Sequence, residues 1–252
     1  MINGNGSEWF AAWFDSVHYH KLYAHRDDTE AARFLDALTT RLGPGRGAHV
    51  LDLGCGIGRH SKYLASKGLR VTGVDLAASS IKEAKKSEHT RLRFFRHDMR
   101  APFGRQAFDY VFNFFTSFGY FADTSEHQAV VRNMALSLRN RGRLVLDYLN
   151  DRYAEASLTA GEIKEIDGVI YRLTRWMDAR HIFKRIAIEG GGAPLTYVER
   201  VARFTLQDFE RMFAPHGLVI ESLYGDYGLN SYDSRTSPRM ILVAKKRYQR
   251  AA

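Results

Sequence analysis

The sequence predicts an α/β protein, a mostly parallel sheet covered by helices, with a β-meander inserted late in the chain. Three observations carry this. His49 to Asp75 reads as strand, glycine turn, helix, strand and acid. Strand-like and helix-like runs then alternate as far as Asn150. From Glu162 to Phe204 the pattern changes to short alternating runs separated by turn residues. A chain of 252 residues suffices for one such domain, 1–252, with an insertion and a substantial core.

Composition bounds the function. Hydrophobic content of 45% and charged content of 26% are ordinary for a soluble globular protein. No run of about 18 apolar residues exists, so no transmembrane helix is expected. The start, MINGNGSEWF, lacks the basic-then-apolar layout of a signal peptide. The single cysteine, Cys55, rules out an intrachain disulfide framework and suits a reducing compartment, so a cytoplasmic location is expected. The 37 Lys plus Arg against 28 Asp plus Glu give a charge of +9. These bases are spread along the chain, with short clusters at Lys85-Lys86 and Lys245-Lys246-Arg247. A solvated surface is the expectation, and a nucleic-acid partner is the alternative.

The first elements are an aromatic segment and a helix. Trp9, Phe10, Trp13, Phe14, Tyr19 and Tyr23 crowd the start. Asp27 and Glu30 have capping-box spacing, and Ala31, Phe34, Leu35, Leu38 and Leu42 follow at helical period. Gly43-Pro44-Gly45 ends that helix. The aromatic segment is either core or a cover over a site. His18, His20 and His25 are close together, but no Cys or acidic ligand set accompanies them, so no metal is expected.

The central unit follows. Val50, Leu51 and Leu53 form an apolar run of the kind buried on both faces of a sheet. Asp52 stands within the run, and Gly54-Cys55-Gly56-Ile57-Gly58 succeeds it. Arg59 to Lys67 reads as a helix with Tyr63 and Leu64 inward, closed by Gly68. Arg70 to Val74 is the next strand, with Asp75 at its end. Glycines let backbone approach a ligand closely, and an acid after the second strand can accept both hydroxyls of a ribose. The spacing G-x-G-x-G is not the G-x-G-x-x-G of dinucleotide sites. Asp52 beside it would repel a pyrophosphate and attract an ammonium.

DLGCGIG followed by VD resembles the first two motifs of class I S-adenosylmethionine-dependent methyltransferases, and the likeness extends over nearly all of the chain. It implies a Rossmann-like seven-stranded sheet, last strand antiparallel, flanked by helices, with an antiparallel β-meander insertion. The implied parts are an N-terminal lid and first helix (1–45), a cofactor core (46–155), a β insertion (160–204) and a C-terminal helix with a strand pair (205–252). It also implies S-adenosyl-L-methionine as cofactor. Asp52, Gly54 and Gly56 would surround its methionine part and Asp75 would hold its ribose, with Cys55, Gly58 and Leu76 as further cofactor candidates. Tyr19, Tyr23 and Arg26 would lie near the methionine end, where Arg26 suits a carboxylate.

The later elements continue the pattern. Ser80 and Glu83 have capping-box spacing in a short helix. Leu92, Phe94 and Phe95 suggest a third strand ending at His97-Asp98-Met99, and the resemblance implies Asp98 and Met99 on the adenine. Phe108 to Phe115 is the fourth strand, running into Thr116-Ser117-Phe118-Gly119-Tyr120-Phe121, where the resemblance implies the reaction site. Asn113 belongs to that strand end and is a cofactor candidate. Nucleobase-amine enzymes commonly carry Asn or Asp and then Pro-Pro-aromatic here; Asn113-Phe114-Phe115-Thr116 has no proline, which argues against that class. TSFGYF resembles small-molecule methyltransferases, including relatives of amino-sugar N-methyltransferases. Thr116, Ser117 and Tyr120 are therefore acceptor candidates, while Phe114 and Phe115 are read as core.

Asp123 and Glu126 bracket the next helix start, Asn140-Arg141-Gly142 is a turn, and Arg143 to Asn150 is the fifth strand. Its polar end makes Tyr148 and Asn150 candidates. Val169–Trp176, Ile182–Ile188 and Tyr197–Phe204 are the insertion's strands, with Arg172, Arg175, Trp176, Arg200 and Arg203 among them. Thr205 caps a helix with Asp208 three later. Val219–Tyr224 and Met240–Ala244 form the last strands, and the long polar loop between them, with Tyr227, Asn230, Tyr232, Ser234 and Arg235, suggests a binding role, Tyr232 being an acceptor candidate; Arg239 is read as pointing into the site or as making a surface salt bridge.

The expected function is methyl transfer from S-adenosylmethionine to O or N of a small molecule, by in-line displacement. Tyr120, Tyr148 and His20 are candidates for the base. The only thiol lies in the glycine turn, which argues against a cysteine-adduct route. An RNA (tRNA) methyltransferase and a non-catalytic cofactor-binding module are the alternatives. The chain is expected as a monomer or homodimer.

Overall fold

The computed structural model describes residues 8–24, 28–190 and 193–248. Arg26, Asp27 and His25 lie outside them. Two short helices, α1 (Trp9–Phe14) and α2 (Val17–Leu22), precede α3 (Asp28–Leu42). The central unit is β1 (His49–Leu53), α4 (Arg59–Ser66) and β2 (Arg70–Asp75). Then come α5 (Ala78–Ala84), β3 (Leu92–Arg96), β4 (Phe108–Asn113), α6 (Thr124–Ser137) and β5 (Leu138–Leu149).

A short α7 (Asp151–Ala156) leads into four strands: β6 (Gly161–Ile166), β7 (Val169–Met177), β8 (His181–Glu189) and β9 (Leu195–Ala202). The chain returns through α8 (Leu206–Phe213), β10 (Leu218–Tyr224) and β11 (Arg239–Lys246).

The large sheet has seven strands in the order β10-β11-β5-β4-β1-β2-β3. The five strands from β3 to β5 are parallel, and β11 is antiparallel to both β5 and β10. This is the Rossmann-like arrangement expected, with its last strand antiparallel. The second sheet is an antiparallel meander, β6-β7-β8-β9.

The apolar runs explain the layering. Val50 and Leu51 are both sealed, and they enter different clusters. Val50, Phe112, Val145 and Ile241 meet Phe34 and Leu64 of α3 and α4. Leu51, Val111, Leu146 and Leu242 meet α6, α8, α1 and the meander on the other face. A strand covered on both faces must be apolar at successive positions, not alternate ones.

Three local expectations needed correction, and one cap held. The meander has four strands rather than three, because β6 alternates half-buried and exposed residues and only Ile163 and Ile166 mark it as apolar. Asn140-Arg141-Gly142 is no turn: α6 passes directly into β5, and a register shift against Phe108 and Tyr110 absorbs the irregularity. Ser80 caps nothing; it is buried inside α5, and Asp15 serves that helix start by accepting from Ser79 N–H at 2.6 Å. Thr205 does cap α8, accepting from Asp208 N–H at 3.3 Å while the Asp208 carboxylate takes the Thr205 N–H at 2.8 Å. No helix among the described residues is long and apolar enough to cross a membrane.

Candidate functional site

The carboxyl ends of β1, β2 and β4 open into a cavity of about 1140 Å³. Its floor is the glycine turn and Asp75, its side the 114–121 loop, and its roof the inner face of β8 and β9 together with α1 and α2.

The floor is built from backbone. Gly54, Cys55 and Gly56 line the cavity. Gly56 takes φ +55°, and a Cβ there would stand in open space, so only hydrogen keeps this backbone open to a ligand. Asp75 Oδ2 accepts from Gly56 N–H at 2.8 Å, and Oδ1 accepts from Ala77 N–H at 2.9 Å. Burial pushes its carboxyl up, and these amides pull it back. A carboxylate has about four lone-pair positions, so these amides do not exhaust its capacity to accept from the hydroxyls of a sugar. Leu76, Asp98 and Met99 continue this wall. An open glycine turn, a held acid and an apolar wall in sequence along one crevice fit a nucleoside cofactor such as S-adenosylmethionine.

Three floor candidates sit behind the cavity. Asp52 is 1% exposed and accepts from Ser61 Oγ at 2.5 Å, tying α4 to β1. Burial pushes its carboxyl up to about 6, against that hydrogen bond, and the charge of Asp75 adds to the rise. It does not line the cavity and supports the turn from behind. Gly58 is a packing residue: at φ +80°, its Cβ would lie 2.5 Å from the Phe94 ring. Asn113 is sealed, its amide donating to Leu53 O at 2.7 Å and Ser117 O at 3.4 Å. Cys55 is buried, and its thiol is pushed up by that burial and by the acids Asp52 and Asp75, so it stays neutral.

Asp98 reaches the cavity with a partner that sequence reasoning missed. Arg100 grips it through Nε and Nη2, at 3.0 and 2.6 Å to Oδ2, and spans to Glu126 at 2.8 Å and Glu8 at 2.7 Å. Burial pushes the Asp98 carboxyl up, and Arg100 more than reverses this, holding it below its ordinary value. The cluster also ties the start of α1 to the floor. Nothing in the spacing of Glu8, Asp98 and Glu126 announces their convergence.

The 114–121 loop is held in an unusual shape. Phe115 and Thr116 both have positive φ, +55° and +58°. Two consecutive left-handed residues with side chains are costly, and they persist only where their surroundings fix them. Here Asp147, fully sealed, accepts from Phe115 N–H at 2.8 Å and from the Tyr227 hydroxyl at 3.1 Å, while its backbone carbonyl takes Thr116 N–H at 3.0 Å. Arg239 donates to Asp147 through Nε at 2.8 Å and to Thr116 Oγ1 through Nη2 at 2.9 Å. Thus Arg239 points into the site and pairs with a buried acid, not on the surface. Thr116, Ser117 and Tyr120 line the cavity, and so do Phe114 and Phe115, expected to be core alone. The Tyr120 hydroxyl donates to Thr116 O.

The aromatic start is core and cavity wall at once. Trp9 and Trp13 are buried, while Phe14, Tyr19, His20 and Tyr23 line the cavity. His20 Nε2 lies 3.5 Å from both Ser79 Oγ and Ser80 Oγ. From the meander, Lys184 and Glu199 enter the roof; neither stood out in the sequence.

Other candidates are removed from the cavity. Tyr148 is sealed, its hydroxyl donating to Ala202 O at 2.5 Å, and burial pushes its phenol up, so it braces β5 to the meander. Asn150 is also sealed, its amide donating to Ser237 O at 2.7 Å and Ser234 O at 3.1 Å; the Tyr232 hydroxyl donates to its Oδ1 at 3.2 Å. Asn150 and Tyr232 thus close the 225–238 loop. Arg203 is likewise removed, taken by Asp151 and Glu155 at 2.6 and 2.8 Å, whereas Arg175 does line the cavity while donating to Glu162 at 2.7 Å.

Comparison with known proteins agrees with this geometry. Residues 50–142 match a family described as a methyltransferase domain. The chain is 26% identical over 223 residues to a dTDP-3-amino-3,6-dideoxy-alpha-D-glucopyranose N,N-dimethyltransferase of Streptomyces fradiae, covering 85% of this chain and 86% of that one. An S-adenosylmethionine-dependent methyltransferase from Clostridium acetobutylicum superposes with TM-score 0.76 at 17% identity, over 95% of this chain and 98% of the other. The S-adenosylmethionine-bound amino pentose methyltransferase of calicheamicin biosynthesis, from Micromonospora echinaspora, gives 0.67 at 22% identity, over 92% and 97%.

Proposed function

We propose that this chain, a class I S-adenosylmethionine-dependent methyltransferase, transfers the methyl group to N or O of a small-molecule acceptor held between the 114–121 loop and the roof. One observation carries this reading. The 1140 Å³ cavity is continuous from the glycine turn to β8 and β9, more than a drug-sized ligand requires, and so has room for a nucleoside and a second small molecule. The amino-sugar enzymes among the relatives support a small acceptor.

Gly54, Gly56, Asp75, Leu76 and Met99 would hold the cofactor, which supplies a methyl carbon activated by a sulfonium. Asp75 orients the ribose through lone pairs left by the amides of Gly56 and Ala77. The 114–121 loop sets the acceptor beside the end of β4, where effective concentration and alignment provide most of the acceleration. Tyr120 keeps its proton hydrogen-bonded to Thr116 O, so it supplies no acid. The α1 and α2 aromatics and the meander exclude water above it.

Calorimetry with S-adenosylhomocysteine, followed by incubation with methyl-labelled cofactor and a metabolite extract, tests this reading. Heat on titration and a labelled small product support it. Label found only in RNA, or none at all despite tight cofactor binding, would replace it with the nucleic-acid or the non-catalytic reading.

A further inference from the structure

The roof carries one carboxylate whose two oxygens are in different states. Glu199, on β9, lines the cavity with its side chain 16% exposed. Its Oε1 accepts from Trp13 Nε1 at 2.7 Å and from the Tyr23 hydroxyl at 3.0 Å. Lys184 donates to the Tyr23 oxygen, which commits the Tyr23 proton to Glu199. Oε2 forms a loose ion pair with Lys184 Nζ, at 3.8 Å, too long for a hydrogen bond. One oxygen is clamped by two hydrogen bonds, and the other, ion-paired but not hydrogen-bonded, keeps its lone pairs for a donor arriving from the cavity.

A line of rings joins this carboxylate to the reaction loop. Ring centroids of Tyr120 and Phe14 lie 5.1 Å apart, Phe14 and Tyr19 5.0 Å, and Tyr19 and Tyr23 4.9 Å. All four line the cavity. Aromatic faces attract a cation and are nearly indifferent to a neutral hydroxyl. The wall already shows this behaviour, since the Lys184 ammonium lies 4.6 Å from the Tyr23 centroid. A free carboxylate oxygen adds a charge-assisted bond, about twice as strong as a neutral one.

We infer that Glu199 and this aromatic wall form a recognition site for a protonated amine of the acceptor, so that the chain methylates nitrogen in preference to oxygen. The inference rests on the methyltransferase reading and adds the acceptor's class. Oε2 receives one proton from the ammonium. The nitrogen lone pair so released forms the N–C bond as the S–C bond breaks, and sulfur keeps that electron pair. The proton on Glu199 then passes to solvent.

The test compares cyclohexylamine with cyclohexanol, two probes of one shape, by calorimetry at neutral pH on protein saturated with S-adenosylhomocysteine. The amine is expected to bind at least about tenfold tighter than the alcohol. Glu199→Gln, which keeps the size and an oxygen for Trp13, is expected to abolish that preference while S-adenosylhomocysteine affinity stays within about twofold. Glu199→Asp, which keeps the charge, is expected to retain part of it. Equal binding of the two probes, no binding of either, or an intact preference in Glu199→Gln overturns the inference. If S-adenosylhomocysteine gives no heat, the cofactor reading fails separately, and the same comparison on the free protein still decides the roof.

Discussion

The floor and the roof of the cavity are held by opposite means. On the floor, Asp75 is fixed by main-chain amides of Gly56 and Ala77, 19 and 2 positions away. In the roof, Glu199 is fixed by side chains of Trp13 and Tyr23, 186 and 176 positions away. The loop between them hangs on the pairing of Asp147 with Arg239, 92 positions apart. A floor made of a strand, a turn and a helix start is specified by one stretch of chain. A roof made of side chains exists only once distant elements have docked. The cofactor end is therefore generic, and the acceptor end is where a chain of this fold becomes particular.

Breaking the long-range support should cost most. Asp147→Ala leaves the half-buried Arg239 without its carboxylate and removes the acceptor of Phe115 N–H, so a loss of about 3 kcal/mol is expected in urea unfolding. A loss below about 1 kcal/mol would show that the loop holds its shape unaided. Gly58→Ala probes the floor: the left-handed backbone and the Phe94 ring together should cost about 3 kcal/mol. Adding Phe94→Leu should recover part of it, and simple additivity of the two changes would refute the packing role.

Titration offers a third break, beneath the reaction loop. His127 lies against Phe118, Phe121 and Phe204, with centroids 5.3, 5.3 and 4.9 Å away. Burial pushes its pKa down to about 4, against the pull of the Asp123 and Gly119 backbone. The unfolded chain, with an ordinary value near 6.5, then binds more protons between those two values. Stability should fall as pH drops through that window, by about 3 kcal/mol at most, and level off below it. His127→Leu should flatten the slope of the unfolding free energy there; an unchanged slope would assign the effect elsewhere.

Binding gives the sharper contrast. Asp75→Ala should weaken S-adenosylhomocysteine by about 100-fold in calorimetry, the value of two hydrogen bonds to a charged group. An unchanged dissociation constant would remove Asp75 from the site. The smallest effect is expected from Tyr232→Phe, about 1 kcal/mol of stability with cofactor binding untouched, because its hydroxyl serves Asn150 and not the cavity.

The same contrast explains what was legible in the chain. The glycine turn, Asp75 and the strand sequence could be read because helix and strand periods and turn residues are local signals. The seven-strand order and the antiparallel last strand followed once those motifs were recognised. Tyr148 and Asn150 were chosen because they end the fifth strand, yet the residue of that end which supports the site is Asp147, and only the partner strand reveals it: Arg239 stands opposite Leu149. Gly58 looked like part of the ligand turn because sequence does not show Phe94 filling the space beside it. Glu199 lay unmarked in a strand of alternating residues, since no local pattern distinguishes a clamped carboxylate from a solvated one.

The place of β11 in the sheet has a consequence for how the protein is made. Arg239 opens that strand and acts on Thr116, 123 positions earlier. In a chain emerging from the ribosome, the glycine turn and Asp75 precede by far the segment that shapes the 114–121 loop. Fragments ending before β11 should therefore be inert rather than indiscriminate, because the final strand to insert arms the catalyst.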